Sequence, residues 1–136
     1  MADSVIINKA ASIERCLKRI AEDYVGHEAA FETEYIRQDA VLLNLQRACE
    51  QSIDLANHLV KLKALGVPQN TREAFILLEK AGLIDAPLAR AMEHMVGFRN
   101  IAVHEYARLN LSVVRAIIEK HTADFRRFVS IALTFA

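Results

Sequence analysis

Apolar residues recur three and four positions apart through most of this 136-residue chain, and this spacing limits its fold more than any other feature. Positions three and four apart lie on one face of an α-helix. No segment of any length alternates with the period of two that a strand requires. The sequence therefore predicts an all-α fold. The first apolar stripe consists of Ile6, Ala10, Ile13, Leu17, Ile20 and Tyr24.

Helix boundaries can be placed at capping and helix-breaking residues. Four long helices are expected, with one short helix between the second and the fourth, joined by short loops. Such helices bury their stripes best as an antiparallel four-helix bundle, here one domain over residues 1–136. The expected start signals are Asp3 or Ser4, a second helix clear by Ile36, Asn70, Asp85, and Asn110 or Ser112. The expected stop signals are Gly26, the segment 66–68 and Gly82.

Composition narrows the class of protein. Hydrophobic residues make up 53% of the chain, which argues against disorder. No apolar run approaches the roughly 20 residues of a membrane span, and residues 1–4 lack the basic start of a signal peptide. We therefore expect a cytoplasmic protein. Cys16 and Cys49 are isolated within helical patterns, so we expect buried free thiols and neither a disulfide nor a zinc site.

Charge is balanced overall but unevenly distributed. Seventeen basic and seventeen acidic residues give a net charge of zero, so loose adhesion to nucleic acid is not expected. Residues 22–39 carry six acids against one base, whereas residues 99–127 carry six bases against three acids. Solvated helix faces account for both segments, and a mild electrostatic footprint around a functional motif is the sharper interpretation.

The candidate functional motif is the run of residues from Arg99 to Tyr106, with the sequence RNIAVHEY. On a straight helix, residues five apart differ by roughly 140°, so Arg99 and His104 do not share a face. Asn100 and His104 do share one, and Arg99 shares the apolar stripe with Tyr106. An arginine there is costly unless it is paired or opens onto a cleft. Either the helix ends or bends near His104, or two copies of the chain each supply half of a pocket.

These residue types suit work on a phosphate. Arg99 can neutralise a phosphate oxygen, His104 can take or give a proton, and Asn100 can fix an orientation. The structural alternative is a buried Arg–Asn–His network that locks the helix to its neighbours. No phosphate-binding Gly-rich loop is present. The other histidines, which are His27, His58, His94 and His121, show no metal-ligand spacing.

The motif resembles a family signature. Arg99, followed by the polar Asn100 and, after four intervening residues in all, by His104, is similar to the Arg–x(4–6)–His signature of the HEPN superfamily, in which the first intervening residue is polar, and the added Tyr106 resembles its HepT branch. Residues 39–46, 53–58 and 95–100 resemble that branch in order and spacing, and the likeness covers roughly residues 10–130.

This resemblance implies a HEPN-type bundle, usually a homodimer whose two motifs face a shared cleft. It implies the toxin of a prokaryotic, type VII-like toxin–antitoxin pair, which cuts RNA with neither a metal nor a cofactor. His104 would act as general acid or base, Arg99 would stabilise the transition state, and Asn100 would orient the histidine or the phosphate. The antitoxin would be a minimal nucleotidyltransferase of the MNT (MntA) type that adenylylates Tyr106.

Two other hypotheses remain open at this stage. The chain could be a non-catalytic HEPN protein that binds RNA or nucleotide, or that serves mainly as the scaffold and modification target of the nucleotidyltransferase. It could also be a plain oligomeric helical bundle, in which Arg99 contributes only to stability. Cleavage of RNA by the clean, unmodified protein would distinguish the ribonuclease toxin from both the non-catalytic protein and the plain helical bundle.

Overall fold

A computed structural model describes residues 2–104 and 109–136, and throughout these residues the regular structure is helical. The all-α prediction is thereby confirmed. The helices are α1 (Ser4–Tyr24), α2 (Glu28–Phe31), α3 (Tyr35–Leu62), α4 (Glu73–Lys80), α5 (Ala86–His104), α6 (Leu111–Ala116), a π-helical turn (Ile117–His121) and α7 (Thr122–Leu133).

The long helices α1, α3, α5 and α7 form the bundle. α1 packs along α3 and against α7, while α5 packs against α3, α4 and α7. The stripe predicted for α1 is buried along its whole length. Asp3 caps this helix, because its Oδ1 accepts from the backbone N–H groups of Val5 at 3.0 Å and Ile6 at 3.1 Å. Both the cap and the apolar face of the first helix could therefore be predicted from the sequence.

Two features near the N-terminal half were not predicted. α2 is a single helical turn within the acidic segment, and its Phe31 is fully buried and meets the Tyr24 ring edge-on at 5.2 Å. Four residues are too few to show a helical period, so packing of one phenylalanine decides this turn. α3 ends at Leu62, ahead of the predicted glycine, because Ala64 already adopts a positive φ of 54°.

The last helix is interrupted where one continuous helix was expected. Asn110 caps α6 as predicted, since its Oδ1 accepts from the Ser112 N–H at 2.8 Å. The π-helical turn then takes more residues per turn than an α-helix and shifts the faces that follow it. His121 is four residues from both Ile117 and Phe125, a spacing that predicts a place on the same buried stripe of a continuous α-helix. It is exposed instead, and its Nδ1 lies 3.0 Å from Asp124 Oδ2.

The described helices contain no segment that is both long enough and apolar enough to cross a membrane.

Candidate active site

The motif lies on the last turns of α5, which is fixed at its start by a capping aspartate. Asp85 Oδ1 accepts from the Leu88 N–H at 2.9 Å, and Arg127 of α7 forms an ion pair with the same carboxylate. The hydrogen bond from Leu88 and then the Arg127 guanidinium lower the pKa of Asp85. Pro87 follows in the first turn, where its missing N–H costs little. These contacts set the direction in which α5 presents its residues.

Arg99 projects from the buried side of α5 into a cleft. Its Nε is buried and has no hydrogen-bond partner among residues 2–104 and 109–136, and the side chain as a whole is only half-buried. The guanidinium borders a cavity of about 340 Å³ between α5 and α3. An arginine on an apolar stripe must either be paired or open onto a cleft, and in this structure Arg99 opens onto a cleft. The other residues lining this cavity are Glu50, Ile53, Asp54, Asn57 and Thr71.

The two carboxylates of this cavity are engaged with other side chains. Glu50 accepts from Gln46 Nε2 at 3.1 Å, and Asp54 pairs with Lys9 of α1 at 3.2 Å. Among the described residues, no carboxylate lies within ion-pair distance of Arg99. The Arg99 cation is therefore held at the cleft with capacity to bind an anion.

The cation also acts on the core beneath it. Burial raises the pKa of the Cys49 thiol, and the nearby Arg99 charge opposes that shift. Cys16 and Cys49 are both buried free thiols, as predicted. A buried, protonated thiol in this position is a core residue and not a nucleophile.

A second cavity continues along the same two helices toward the end of α5. It measures about 400 Å³ and is joined to the first by the Gln46–Glu50 hydrogen bond, since each residue lines one cavity. We call the two cavities together the α3–α5 groove. The second cavity is lined by Asp39, Leu42, Leu43, Gln46 and Ala102.

Asn100 and His104 lie on a different side of α5 from Arg99. Asn100 is half-buried and His104 is exposed. Within the described part of the chain, neither side chain has a hydrogen-bond partner, so the buried Arg–Asn–His network is not formed there. One chain thus presents Arg99 to the α3–α5 groove and His104 to solvent, and does not bring the two together. Tyr106 lies outside the described residues.

One charged residue beside the motif was not anticipated from the sequence. The guanidinium of Arg72, at the start of α4, lies against Gly97 of α5, where an added Cβ would be 2.8 Å from Nη2. A glycine in the middle of a predicted helix was the available signal, because it often marks a close approach of another group. Thr71 and Glu50 in the Arg99 cavity were missed as well, since no spacing rule links them to the motif.

The sequence matches the profile of the family described as "Ribonuclease HepT-like" over residues 13–131. This chain belongs to the HepT-like ribonuclease family. The likeness to the HepT branch of the HEPN superfamily, inferred above from residues 99–106 and their context, is thereby confirmed.

Several HepT-like relatives match nearly the full chain. The mRNA nuclease HepT of Shewanella oneidensis is 46% identical over 129 residues, which cover 95% of this chain and 96% of that protein. The fold is similar to the tri-AMPylated Shewanella oneidensis HEPN toxin solved in complex with its MNT antitoxin, with a TM-score of 0.90 at 46% identity over 95% of this chain and 96% of the other. It is equally similar to a toxin–antitoxin structure with AMP-PNP, with a TM-score of 0.90 at 44% identity over 96% and 98% of the two chains. The predicted HEPN-type bundle is confirmed.

Proposed function

We propose that this HepT-like chain is the ribonuclease toxin of a toxin–antitoxin pair and cuts RNA by transesterification without a metal. The observation that carries the proposal is the 46% identity to an mRNA nuclease over nearly the whole length of both proteins. The half-buried Arg99 at an open cleft supports it, because a cation without a carboxylate partner is suited to a phosphate.

In the proposed reaction the ribose 2′-OH attacks the adjacent phosphorus. A new P–O2′ bond forms while the P–O5′ bond breaks, leaving a cyclic phosphate and a 5′-hydroxyl end. His104 takes the 2′-OH proton as general base or gives a proton to the departing O5′ as general acid. Arg99 stabilises the charge that builds on the phosphorane-like transition state, and Asn100 orients the imidazole or the phosphate.

Two copies of the chain complete the site in this proposal. Arg99 and His104 face different sides of α5, so one chain supplies only part of the machinery. A homodimer with the α5 ends facing one cleft brings the Arg99 of one copy toward the His104 of the other. Partly exposed Leu43 and Val103 flank that end of the α3–α5 groove and supply apolar surface for such a contact.

We propose further that a nucleotidyltransferase antitoxin of the MNT type silences the site by adenylylating Tyr106. Related toxins are seen with such a partner, one of them AMPylated. Tyr106 follows His104 by two residues, so an added phosphate there would repel the RNA backbone and block the cleft by its bulk. The whole chain, residues 1–136, acts as one domain in the cytoplasm of a prokaryote, where RNA and ATP are both available.

The test compares protein expressed with and without the genomically adjacent nucleotidyltransferase. Each preparation is measured by intact mass and assayed for cleavage of RNA in the presence of EDTA. We expect the protein made alone to be unmodified and active with EDTA present, and the co-expressed protein to carry added adenylate and to be inactive. A Tyr106→Phe variant should escape both the added mass and the inactivation.

The alternatives give different results in the same assay. Clean, unmodified protein that binds RNA without cutting it would support the non-catalytic scaffold. Cleavage abolished by EDTA and restored by a divalent cation would contradict the metal-free mechanism while leaving the nuclease assignment intact. Equal activity with and without added adenylate would contradict the proposed role of Tyr106.

A further inference from the structure

A third cavity, of about 440 Å³, lies on the opposite side of α5 from the α3–α5 groove, between α5 and the α6–π-turn segment. Its floor is apolar and its rim carries three nitrogen-bearing side chains from distant parts of the sequence. We call it the α5–α6 cavity. The apolar residues are Met95, Phe98, Ile101, Val113 and Ile117, and the rim residues are Arg72, His94 and His121.

The Arg72 guanidinium lies beside Gly97 at this rim. A Cβ at Gly97 would lie 2.8 Å from Arg72 Nη2, which is too close for any side chain to be accommodated without moving the arginine. Arg72 is exposed, and its side chain has no ion-pair or hydrogen-bond acceptor among the described residues. Gly97 thus leaves a notch in the surface of α5. The Arg72 guanidinium, which has no acidic partner among the described residues, lies in this notch.

The π-helical turn supplies the second rim group. A π turn inside a helix is uncommon and often marks a functional site, and this one ends at His121, which borders the cavity. His121 Nδ1 lies 3.0 Å from Asp124 Oδ2, so its Nε2 is the ring nitrogen left for a ligand. His94 borders the cavity from α5 and has no partner among the described residues. The α5–α6 cavity therefore combines polar side chains at its rim with an apolar floor.

The cavity is aligned with the motif histidine. His94, Gly97, Ile101 and His104 are spaced three, four and three residues apart, so they follow one face of α5. At 1.5 Å per residue, Gly97 and His104 are about 10 Å apart along the helix axis. A strand of nucleic acid cut beside His104 and lying along this face would pass over Arg72 next.

We propose that the α5–α6 cavity binds a nucleotide of single-stranded RNA that neighbours the cleavage point, with its base on the apolar floor and its phosphate on Arg72. This inference rests on the proposed ribonuclease function. An apolar floor accepts an unstacked base, and a guanidinium without a competing carboxylate accepts a phosphate. Arg72 acts here as a substrate-binding residue and takes no part in moving protons.

The first experiment measures binding in the full-length His104→Ala protein, which holds RNA without cutting it. Affinity for a fluorescent single-stranded RNA oligonucleotide is compared with and without Arg72→Ala. We expect binding to weaken about tenfold, since a charge-assisted hydrogen bond to phosphate is lost. The slope of log affinity against log salt should shrink by about 0.7, the contribution of one contact to a single strand. Arg19→Ala, at an exposed arginine of α1, is the matched control and should change neither quantity.

The second experiment keeps the charge and moves it. Gly97→Ala displaces the Arg72 guanidinium from the notch while leaving every ionisable group in place. In the active protein, both Gly97→Ala and Arg72→Ala should raise KM several-fold and leave kcat near the unaltered value. Circular dichroism and size-exclusion chromatography establish that each variant keeps its fold and its oligomeric state.

The outcomes separate the two hypotheses. If the unaltered protein cleaves RNA and the Arg72 and Gly97 variants bind and cleave as it does, the cavity proposal is wrong and the ribonuclease assignment stands. If the variants fall apart into monomers, the cavity is an interface between copies and the RNA proposal is likewise wrong. If the unaltered protein never cleaves RNA, the ribonuclease assignment itself fails, whatever the variants do in the binding assay.

Discussion

The two sides of α5 use polar residues in opposite ways. On the buried side, Arg99 opens onto the α3–α5 groove among mainly polar residues, and its Nε is buried with no hydrogen-bond partner among the described residues. On the outer side, Asn100 is half-buried and His104 is exposed, so the imidazole is open to water. Burying the Arg99 Nε without a partner carries a cost that the exposed His104 does not. This difference supports the proposed role of Arg99 in the reaction over a purely structural one.

On the exposed side, substitution of His104 should have the largest effect on RNA cleavage and almost no effect on the stability of the fold. Replacing His104 by alanine removes the proposed general acid or base, and we expect RNA cleavage to fall about 10²–10⁴-fold. The melting temperature should stay the same, because the imidazole is exposed and unpartnered within the described chain. His27→Ala, at another exposed histidine, is the control and should keep full activity. Undiminished cleavage by His104→Ala would remove the central residue of the mechanism.

On the buried side, a substitution of Arg99 should lower RNA cleavage without lowering the stability of the fold. Arg99→Met keeps most of the side-chain volume and removes the buried Nε that lacks a partner. We expect cleavage to fall about 10²–10³-fold, as for loss of one transition-state donor. The melting temperature should be unchanged or higher, since the substitution removes a buried donor that has no partner among the described residues. A clearly lower melting temperature with cleavage retained would instead support the structural role of Arg99.

Mixing the two variants tests whether the two sides meet across a dimer. Neither Arg99→Met nor His104→Ala should cleave alone. If each site takes Arg99 from one copy and His104 from the other, half of the dimers in an equal mixture are mixed, and each of these has one complete site. Activity should then recover to about a quarter of the unaltered level, in line with the isologous symmetry of such dimers. No recovery, with mixed dimers verified by mass spectrometry, would place both residues in one chain's site.

The sequence allowed prediction of those parts of the fold that local rules decide. The cap at Asp3, the cap at Asp85 and the stripe of α1 follow from side-chain chemistry and helical period. The turn of α2 and the π turn did not follow, because each depends on how distant side chains pack. Phe31 fills a space against Tyr24, and the shift before His121 leaves no mark on the apolar spacing.

The same distinction between local rules and distant packing applies to the candidate site. The motif residues could be found from spacing and family resemblance, and helical geometry correctly placed Arg99 on the apolar stripe and off the His104 face. The cavity beside Arg99, and the approach of Arg72 to Gly97, depend on the path of the segment before α4. Loop paths are set by tertiary contacts, so these neighbours required coordinates.

The smallest expected effect is at the start of α5, which holds both sides of the helix in place. Asp85→Ala removes the cap to Leu88 and the ion pair with Arg127, so the melting temperature at pH 7 should fall by a few degrees while cleavage at low temperature persists. Because folding lowers the pKa of Asp85, its stabilising contribution is present above the carboxyl pKa of the unfolded chain and is lost as the pH falls through the lowered pKa of the folded protein. The difference from the unaltered protein should therefore narrow in acid. Glu14→Ala, at an exposed acid of α1, should show no difference at either pH. A gap that widened in acid would contradict the capping role.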